Sequence, residues 1–165
     1  MPIMWKIPAN SMTAMKLPLY RQLVGAEMIE ITSKPISVQP IIDRVKKNNN
    51  GAIVTFIGTV RDNSEGKRVL YLEYEVYPEM AEKKLKEICT EIRNRWLCDV
   101  DIVHRIGKLE LGDIAVVIVI GSAHRLEAFQ ACQYAIDRIK EIVPIWKKEF
   151  YEDGSKWVGH LPTNI

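Results

Sequence analysis

The fold of this chain is decided by one stretch of sequence, Gly51-Ala52-Ile53-Val54-Thr55-Phe56-Ile57-Gly58-Thr59-Val60-Arg61. Residues 52–60 are rich in β-branched side chains, which predicts a strand. Residues 69–77 alternate apolar and polar side chains and predict a second strand. The connection between them, residues 61–68, is polar and long for a hairpin. Because long loops often carry functional side chains, this connection is a candidate for part of a site.

Hydrophobic periodicity on either side of these two strands predicts three amphipathic helices. The first begins after an N-cap at Ser37 and ends in an asparagine-rich segment before the quoted stretch. The second begins at Pro78 and reaches Trp96. The third is capped by Ser122 and is ended by Pro144, because a proline disfavours helical backbone in the residue before it.

Four further strands are predicted at residues 28–32, 100–106, 114–121 and 145–151, the last of them closed by a turn at Asp153-Gly154. The order β, α, β, β, α, β, β, α, β mixes hairpins with crossover connections. This order predicts an α+β fold in which the helices cover one face of a largely antiparallel sheet.

Length and composition predict one folded domain. The chain has 165 residues, of which 47% are hydrophobic and 27% charged, as in ordinary globular proteins. We expect residues 1–26 to be an N-terminal extension, a tag or a weakly ordered arm, and residues 27–165 to form the domain. The extension lacks a continuous apolar segment, so no secretory signal is expected. The apolar run at residues 114–120 is too short to cross a bilayer.

Charge and cysteine content exclude several classes of function. A net charge of +2 is too small to predict a nucleic-acid or membrane partner from the overall field. The three cysteines and three histidines are scattered, so neither a disulfide framework nor a metal site is expected, and a reducing cytoplasm fits the cysteines best. Neither a P-loop nor a Gly-x-Gly-x-x-Gly fingerprint is present, so no nucleotide cofactor of those types is predicted.

Basic side chains concentrate at the ends of the predicted elements, in three groups: Arg61 with Lys67 and Arg68, His124 with Arg125, and Lys140 with Lys147 and Lys148. His124 and Arg125 fall in the first turn of the third helix, where free backbone N–H groups and the helix dipole favour an anion. One hypothesis is a phosphate site at this helix start. The alternative is that both side chains point into water.

Two lysines are candidates for chemistry. Lys140 borders the apolar stripe of the third helix, so its stem can cover apolar surface while its amine reaches a pocket. Strand alternation predicts that Lys147 faces differently from Lys148. If Lys140 and Lys147 converge, repulsion and burial favour one neutral amine, which is a nucleophile or base. The alternative is that both are solvated surface residues.

Five sequence blocks, in this order, closely resemble the large subunit of molybdopterin synthase: the stretch quoted first, Leu72-Glu73-Tyr74-Glu75, His104-Arg105-Ile106-Gly107, Ser122-Ala123-His124-Arg125, and Pro144-Ile145-Trp146-Lys147-Lys148-Glu149. They extend across about residues 28–157. The resemblance implies an α/β-hammerhead-type domain. It also implies a homodimer of large subunits and a ubiquitin-like small subunit docked on each, which makes a heterotetramer.

The resemblance further implies a sulfurtransferase of molybdenum-cofactor biosynthesis that needs no cofactor of its own. In that family, the C-terminal Gly-Gly thiocarboxylate of the small subunit enters a pocket of the large subunit. It donates sulfur to cyclic pyranopterin monophosphate, and two transfers give the dithiolene of molybdopterin. Carried over by motif, Lys140 is the lysine closest to the thiocarboxylate and Lys147 is a second essential amine.

The same resemblance assigns the substrate contacts. Phe56 and Arg61 belong to the pocket, and His124 with Arg125 supply anion contacts across the dimer interface. Two other classes of function stay open at this point. One is a non-catalytic α+β module that binds a phosphorylated small molecule or an RNA end in a cationic cleft. The other is an assembly subunit whose lysines only pair the terminal carboxylate of a ubiquitin-like tail.

Overall fold

The structure, a computed structural model, describes residues 20–24 and 27–159, which form three helices and eleven strands. In chain order they are β1 Tyr20–Val24, β2 Glu27–Thr32, α1 Val38–Val45, β3 Ala52–Thr59, β4 Asn63–Ser64, β5 Lys67–Arg68, β6 Tyr71–Val76, α2 Pro78–Trp96, β7 Asp99–Arg105, β8 Gly107–Glu110, β9 Ile114–Ser122, α3 Arg125–Ile142, β10 Ile145–Tyr151 and β11 Gly154–Val158.

The strands of this described part form three sheets. A five-stranded sheet has the order β1-β2-β7-β9-β3, a four-stranded sheet has the order β11-β10-β6-β8, and β4 pairs with β5 in a small hairpin. The pair β2–β7 is parallel and the other strand pairs are antiparallel. The prediction of a mostly antiparallel α+β fold with three helices is therefore confirmed.

Helices cover both faces of the five-stranded sheet, so the prediction that they lie on one face was wrong. On β9, Ile118 and Ile120 belong to the main core under α2 and α3. Val117 and Val119 face the other way and pack in a second core under α1. A strand covered on both sides is apolar at successive positions rather than alternating ones, which explains the unbroken apolar run of β9.

Strand β3 is one edge of the five-stranded sheet. Its pairing with β9 is regular from Ala52 to Gly58 and shifts between Gly58 and Thr59. The unpaired residue is Ala115 of β9. A Cβ atom on Gly58 would lie 2.7 Å from Val116 Cγ1, so the position beside the bulge is too crowded for a larger residue.

Several local predictions need correction. Ser122 does not cap α3, because it continues β9 and pairs with Ala52, and the N-cap is His124. The predicted loop at residues 61–68 contains the β4–β5 hairpin, and strands β8 and β11 were not predicted. In the predicted extension, residues 20–24 form β1 against β2, while residues 1–19 and 25–26 lie outside the described part of the chain.

Candidate functional site

Helix α3 runs in the same direction as the edge strand β3. At its start, Gly51 lies so close to Ala123 that an added Cβ would be 2.5 Å from the carbonyl oxygen. Half-way along, the backbone N–H of Phe56 donates a hydrogen bond to the sulfur of Cys132. Phe56 is half-buried and packs at the margin of the main core. These two contacts fix the direction of α3 relative to β3.

This arrangement separates the predicted site residues into two groups within one chain. Arg61 follows the end of β3, and Lys140 lies in the last turn of α3, so both are at one end of the pair. His124 and Arg125 are at the other end. With a rise of about 1.5 Å per residue, the fifteen steps along the helix from Arg125 to Lys140 correspond to roughly 22 Å. One chain therefore does not bring all four cations into one pocket.

Lys147 lies in β10 and is tied to a buried carboxylate. Its Nζ is 3.3 Å from Oε1 of Glu149, which is 4% exposed as a side chain, compared with 32% for Lys147. The hydroxyl of Tyr151 donates to Oε2 of Glu149 at 2.5 Å. Ser64 of β4 also forms a side-chain hydrogen bond with Glu149. The segment after Arg61 is thus linked to Lys147 through Ser64 and Glu149.

Burial and hydrogen bonding shift the ionisation of the groups around Lys147. Burial opposes ionisation of Glu149, but hydrogen bonds from Tyr151 and Ser64 and the charge of Lys147 outweigh it, so its pKa lies below the ordinary value. The hydrogen bond to Glu149 raises the pKa of Tyr151 to about 12. Burial, assisted by the charge of Glu149, raises the pKa of Tyr74 to about 12 as well. Glu149 is therefore ionised near neutral pH, whereas Tyr74 and Tyr151 keep their protons.

The buried imidazole of His104 lies against the same cluster. Its ring meets that of Tyr74 edge to face, with centroids 5.2 Å apart. Its Nδ1 is 2.8 Å from the carbonyl oxygen of Arg105, and burial lowers its pKa to about 4. His104 is therefore neutral at physiological pH and serves as packing beneath the cluster.

The other cations grouped in the sequence are engaged elsewhere. Lys67 pairs with Asp153 at 3.2 Å, and Arg68 approaches Glu152 at 3.9 Å. Lys148 lies over the rings of Phe150 and Trp157, on the face of β10 opposite Lys147. The prediction that Lys147 and Lys148 face differently is confirmed.

In contrast, the side chains of four exposed cations of the predicted site form no hydrogen bond or ion pair within residues 27–159: Arg61, His124, Arg125 and Lys140. Three surface grooves of the described part have volumes of 480, 350 and 250 Å³, and none is lined by a predicted site residue. These four cations are therefore open to a ligand or partner instead of being paired within their own chain.

Two classes of site find no counterpart in the described residues. Residues 20–24 and 27–159 contain no group of three His, Cys, Asp or Glu side chains placed to hold a metal ion. No helix in these ranges is long and apolar enough to span a membrane.

Sequence reasoning missed the partners of Lys147. Glu149 and Tyr151 follow it at alternate positions, which places all three side chains on one face of a strand. That spacing was a usable signal for the ion pair. Ser64 carried no such signal, because only the folded hairpin brings it to β10.

Comparison with known proteins places the chain among enzymes of one pathway. A family model described as "MoaE protein" matches residues 31–142. The molybdopterin synthase catalytic subunit of Halalkalibacterium halodurans is 58% identical over 130 residues, which are 78% of this chain and 83% of the relative.

Two solved structures resemble the fold. The crystal structure of molybdopterin synthase from Staphylococcus aureus matches with a TM-score of 0.76 and 51% identity, covering 79% of this chain and 96% of that one. A complex of subunits 1 and 2 of the molybdopterin-converting factor from Helicobacter pylori matches with a TM-score of 0.65 and 17% identity, covering 79% and 88% of the two chains. The latter similarity concerns the fold alone.

Fold and relatives together define the class of this protein as the catalytic subunit of a biosynthetic enzyme. The family model covers more than half of the sequence, and the chain belongs to the MoaE protein family. The predicted molybdopterin synthase activity in molybdenum-cofactor biosynthesis is confirmed at the level of this family, as is the predicted α/β-hammerhead-type fold class.

Proposed function

We propose that this chain transfers sulfur from the C-terminal thiocarboxylate of a ubiquitin-like small subunit to cyclic pyranopterin monophosphate, working in the cytoplasm as a homodimer that carries two small subunits. Lys140 and Lys147 act as acid and base during sulfur attack and release of the spent carboxylate. Phe56, Arg61 and the anion contacts His124 and Arg125 bind the substrate. The three cysteines, all buried and free, are compatible with a reducing compartment.

The observation that carries this proposal is the position of Arg61 and Lys140 at one end of the β3–α3 pair, with no partner in the described residues. Both reactants are anions, and a cyclic phosphate and a thiocarboxylate need cationic hosts to come together. The link from Ser64 through Glu149 to Lys147 supports a third cation near this end.

The open edge of β3 supports the contribution of a second copy. If two β3 edges pair antiparallel about a twofold axis, the start of one strand meets the end of the other. His124 of the partner subunit and Arg125 of the partner subunit then approach Arg61 and Lys140. Within one chain, helix α3 separates Arg125 from Lys140 by roughly 22 Å, but this distance does not apply between residues of two different copies.

The direct test is reconstitution of each variant with a thiocarboxylated small subunit and cyclic pyranopterin monophosphate, followed by product formation. We expect Lys140→Ala and Lys147→Ala to fold normally and to abolish product formation. The matched control is Lys148→Ala, which should keep activity because its amine lies on the opposite face of β10. Wild-type turnover in Lys140→Ala would reject its role, and substrate binding without turnover by the native chain would favour the non-catalytic module.

Sharing of the site between copies is tested by mixing two inactive variants. Each active site would combine Lys140 of one copy with His124 of the other. Random exchange between Lys140→Ala and His124→Ala dimers then leaves about one quarter of the sites intact. Recovery of about that fraction of wild-type activity is expected, and no recovery after verified subunit exchange would contradict a shared site.

A further inference from the structure

The carboxylate of Glu149 is the best-connected buried charge beside the proposed site. It is 3% exposed and receives contacts from Lys147, Tyr151 and Ser64. The three partners come from two elements, because Lys147 and Tyr151 belong to β10 and Ser64 belongs to the β4–β5 hairpin. An ionised carboxylate at such burial is tolerated only when its oxygens are satisfied.

The two oxygens of Glu149 have separate partners in β10. Oε2 accepts the hydrogen bond from Tyr151 at 2.5 Å, and Oε1 is the oxygen nearest Nζ of Lys147 at 3.3 Å. A hydroxyl that fixes Oε2 also fixes the plane of the carboxylate and therefore the direction in which Oε1 meets the amine. Ser64 is itself only 8% exposed.

The hairpin that carries Ser64 is held against the β10–β11 turn. Lys67 pairs with Asp153, Arg68 with Glu152, and Lys156 with Glu65 at 3.7 Å. Each pair is exposed and contributes little alone. Together they join β5 and the hairpin turn to the β10–β11 turn and to β11, which holds the hairpin that carries Ser64 near Glu149.

We infer that Ser64 and Tyr151 are positioning residues that act through Glu149 to fix the ammonium group of Lys147 at the sulfur-transfer site. The inference rests on the proposed function, which gives Lys147 its task. This role requires no contact between either hydroxyl and the reactants. The two hydroxyl groups affect the position of the Lys147 amine. A displacement of about 1 Å at a reacting group is enough to lower the reaction rate severely.

The test compares kcat and KM for cyclic pyranopterin monophosphate in the reconstituted enzyme. Tyr151→Phe and Ser64→Ala should each lower kcat about tenfold and leave KM within about twofold, because substrate binding is retained while the amine is misplaced. Ser64→Thr restores a hydroxyl and should recover most of the loss. The matched control is Tyr71→Phe, whose ring stacks on Phe150 on the other face of the sheet, and it should match wild type.

Thermal unfolding of every variant distinguishes a misplaced amine from loss of the fold. The two hydroxyls lie on different strands, so if one variant fails to fold, the other still tests the inference. Full kcat in folded Tyr151→Phe and Ser64→Ala, with Lys147→Ala inactive, would overturn this inference and leave the proposed function intact. An active Lys147→Ala enzyme would overturn both. Failure of Ser64→Thr to recover activity that Ser64→Ala lost would also count against positioning by the hydroxyl.

Discussion

Asp101 of β7 offers a sharp test of what holds the parallel strand pair in place. Its carboxylate is 1% exposed. Oδ1 accepts the backbone N–H of Met28 at 2.7 Å, and Oδ2 accepts Nε of Arg44 at 3.0 Å. One side chain therefore joins β7, β2 and α1. Burial raises the pKa of Asp101 despite these two partners. Ionising this carboxyl group is therefore less favourable in the folded protein than in water.

The expected effect of Asp101→Ala follows from these contacts. Leaving the buried N–H of Met28 unsatisfied costs about 1–3 kcal/mol. The ion pair adds less than about 1 kcal/mol, because the side chain of Arg44 is 32% exposed and screened by solvent. The free energy of unfolding should fall by about 3 kcal/mol, which lowers Tm by about 9 °C for a domain of this size. Asp101→Asn keeps an acceptor and should lose only about 1 kcal/mol.

Urea denaturation followed by circular dichroism measures both losses, with Asp43→Ala on the exposed side of α1 as the control. Activity below the unfolding transition should be unchanged, because Asp101 contacts none of the proposed site residues. The reasoning is refuted if Asp101→Ala unfolds within about 0.5 kcal/mol of wild type, or if Asn is as harmful as Ala.

Two further predictions concern stability. Gly121→Ala should cost about 1–3 kcal/mol in urea denaturation, because the added Cβ would lie 2.5 Å from Asn50 Nδ2 and 2.6 Å from Val45 Cγ1; a neutral effect would mean that α1 shifts freely. Hydrogen bonds from Arg138 lower the pKa of Glu91 in the folded protein. The ionised carboxylate therefore contributes stability at pH values above the ordinary pKa of glutamate. This contribution is lost as the pH falls through the lower pKa that Glu91 has in the folded protein. Glu91→Gln should therefore be less stable than wild type at neutral pH and show a flatter decline toward about pH 3, whereas parallel curves would contradict the shift.

The fold was largely predictable because its long elements have strong periodicity. Helices α2 and α3 and strand β9 were expected within a few residues of where they lie. The short strands β8 and β11 were missed, because each follows another strand after one or two residues and has too few positions to show its own alternation. The N-cap of α3 was misplaced at Ser122, where the sheet pairing with Ala52 prevailed over the capping preference of serine.

The site was predictable in its residue types and less so in its geometry. The sequence analysis grouped Lys67 and Arg68 with Arg61 because they are close along the chain. In the folded protein, Lys67 and Arg68 instead pair with Asp153 and Glu152 of the β10–β11 turn. The separation of Arg125 from Lys140 follows from helix length alone and was available from the sequence. The role of Glu149 required knowledge of which strand faces are buried.

The bulge at Gly58 and Thr59 limits how much of the sheet another chain can extend. The extra residue is Ala115 of β9, because Gly58 pairs with Val116 and Thr59 with Ile114, and a bulge increases the local twist of the strand pair. A strand added to this edge can therefore pair with about six residues, from Ala52 to Ile57. A shift of its register by one residue would place its side chains on the wrong face of the sheet. A strand added over these residues ends at Ile57, four positions before Arg61, so growth of the sheet by assembly ends before the basic residues begin.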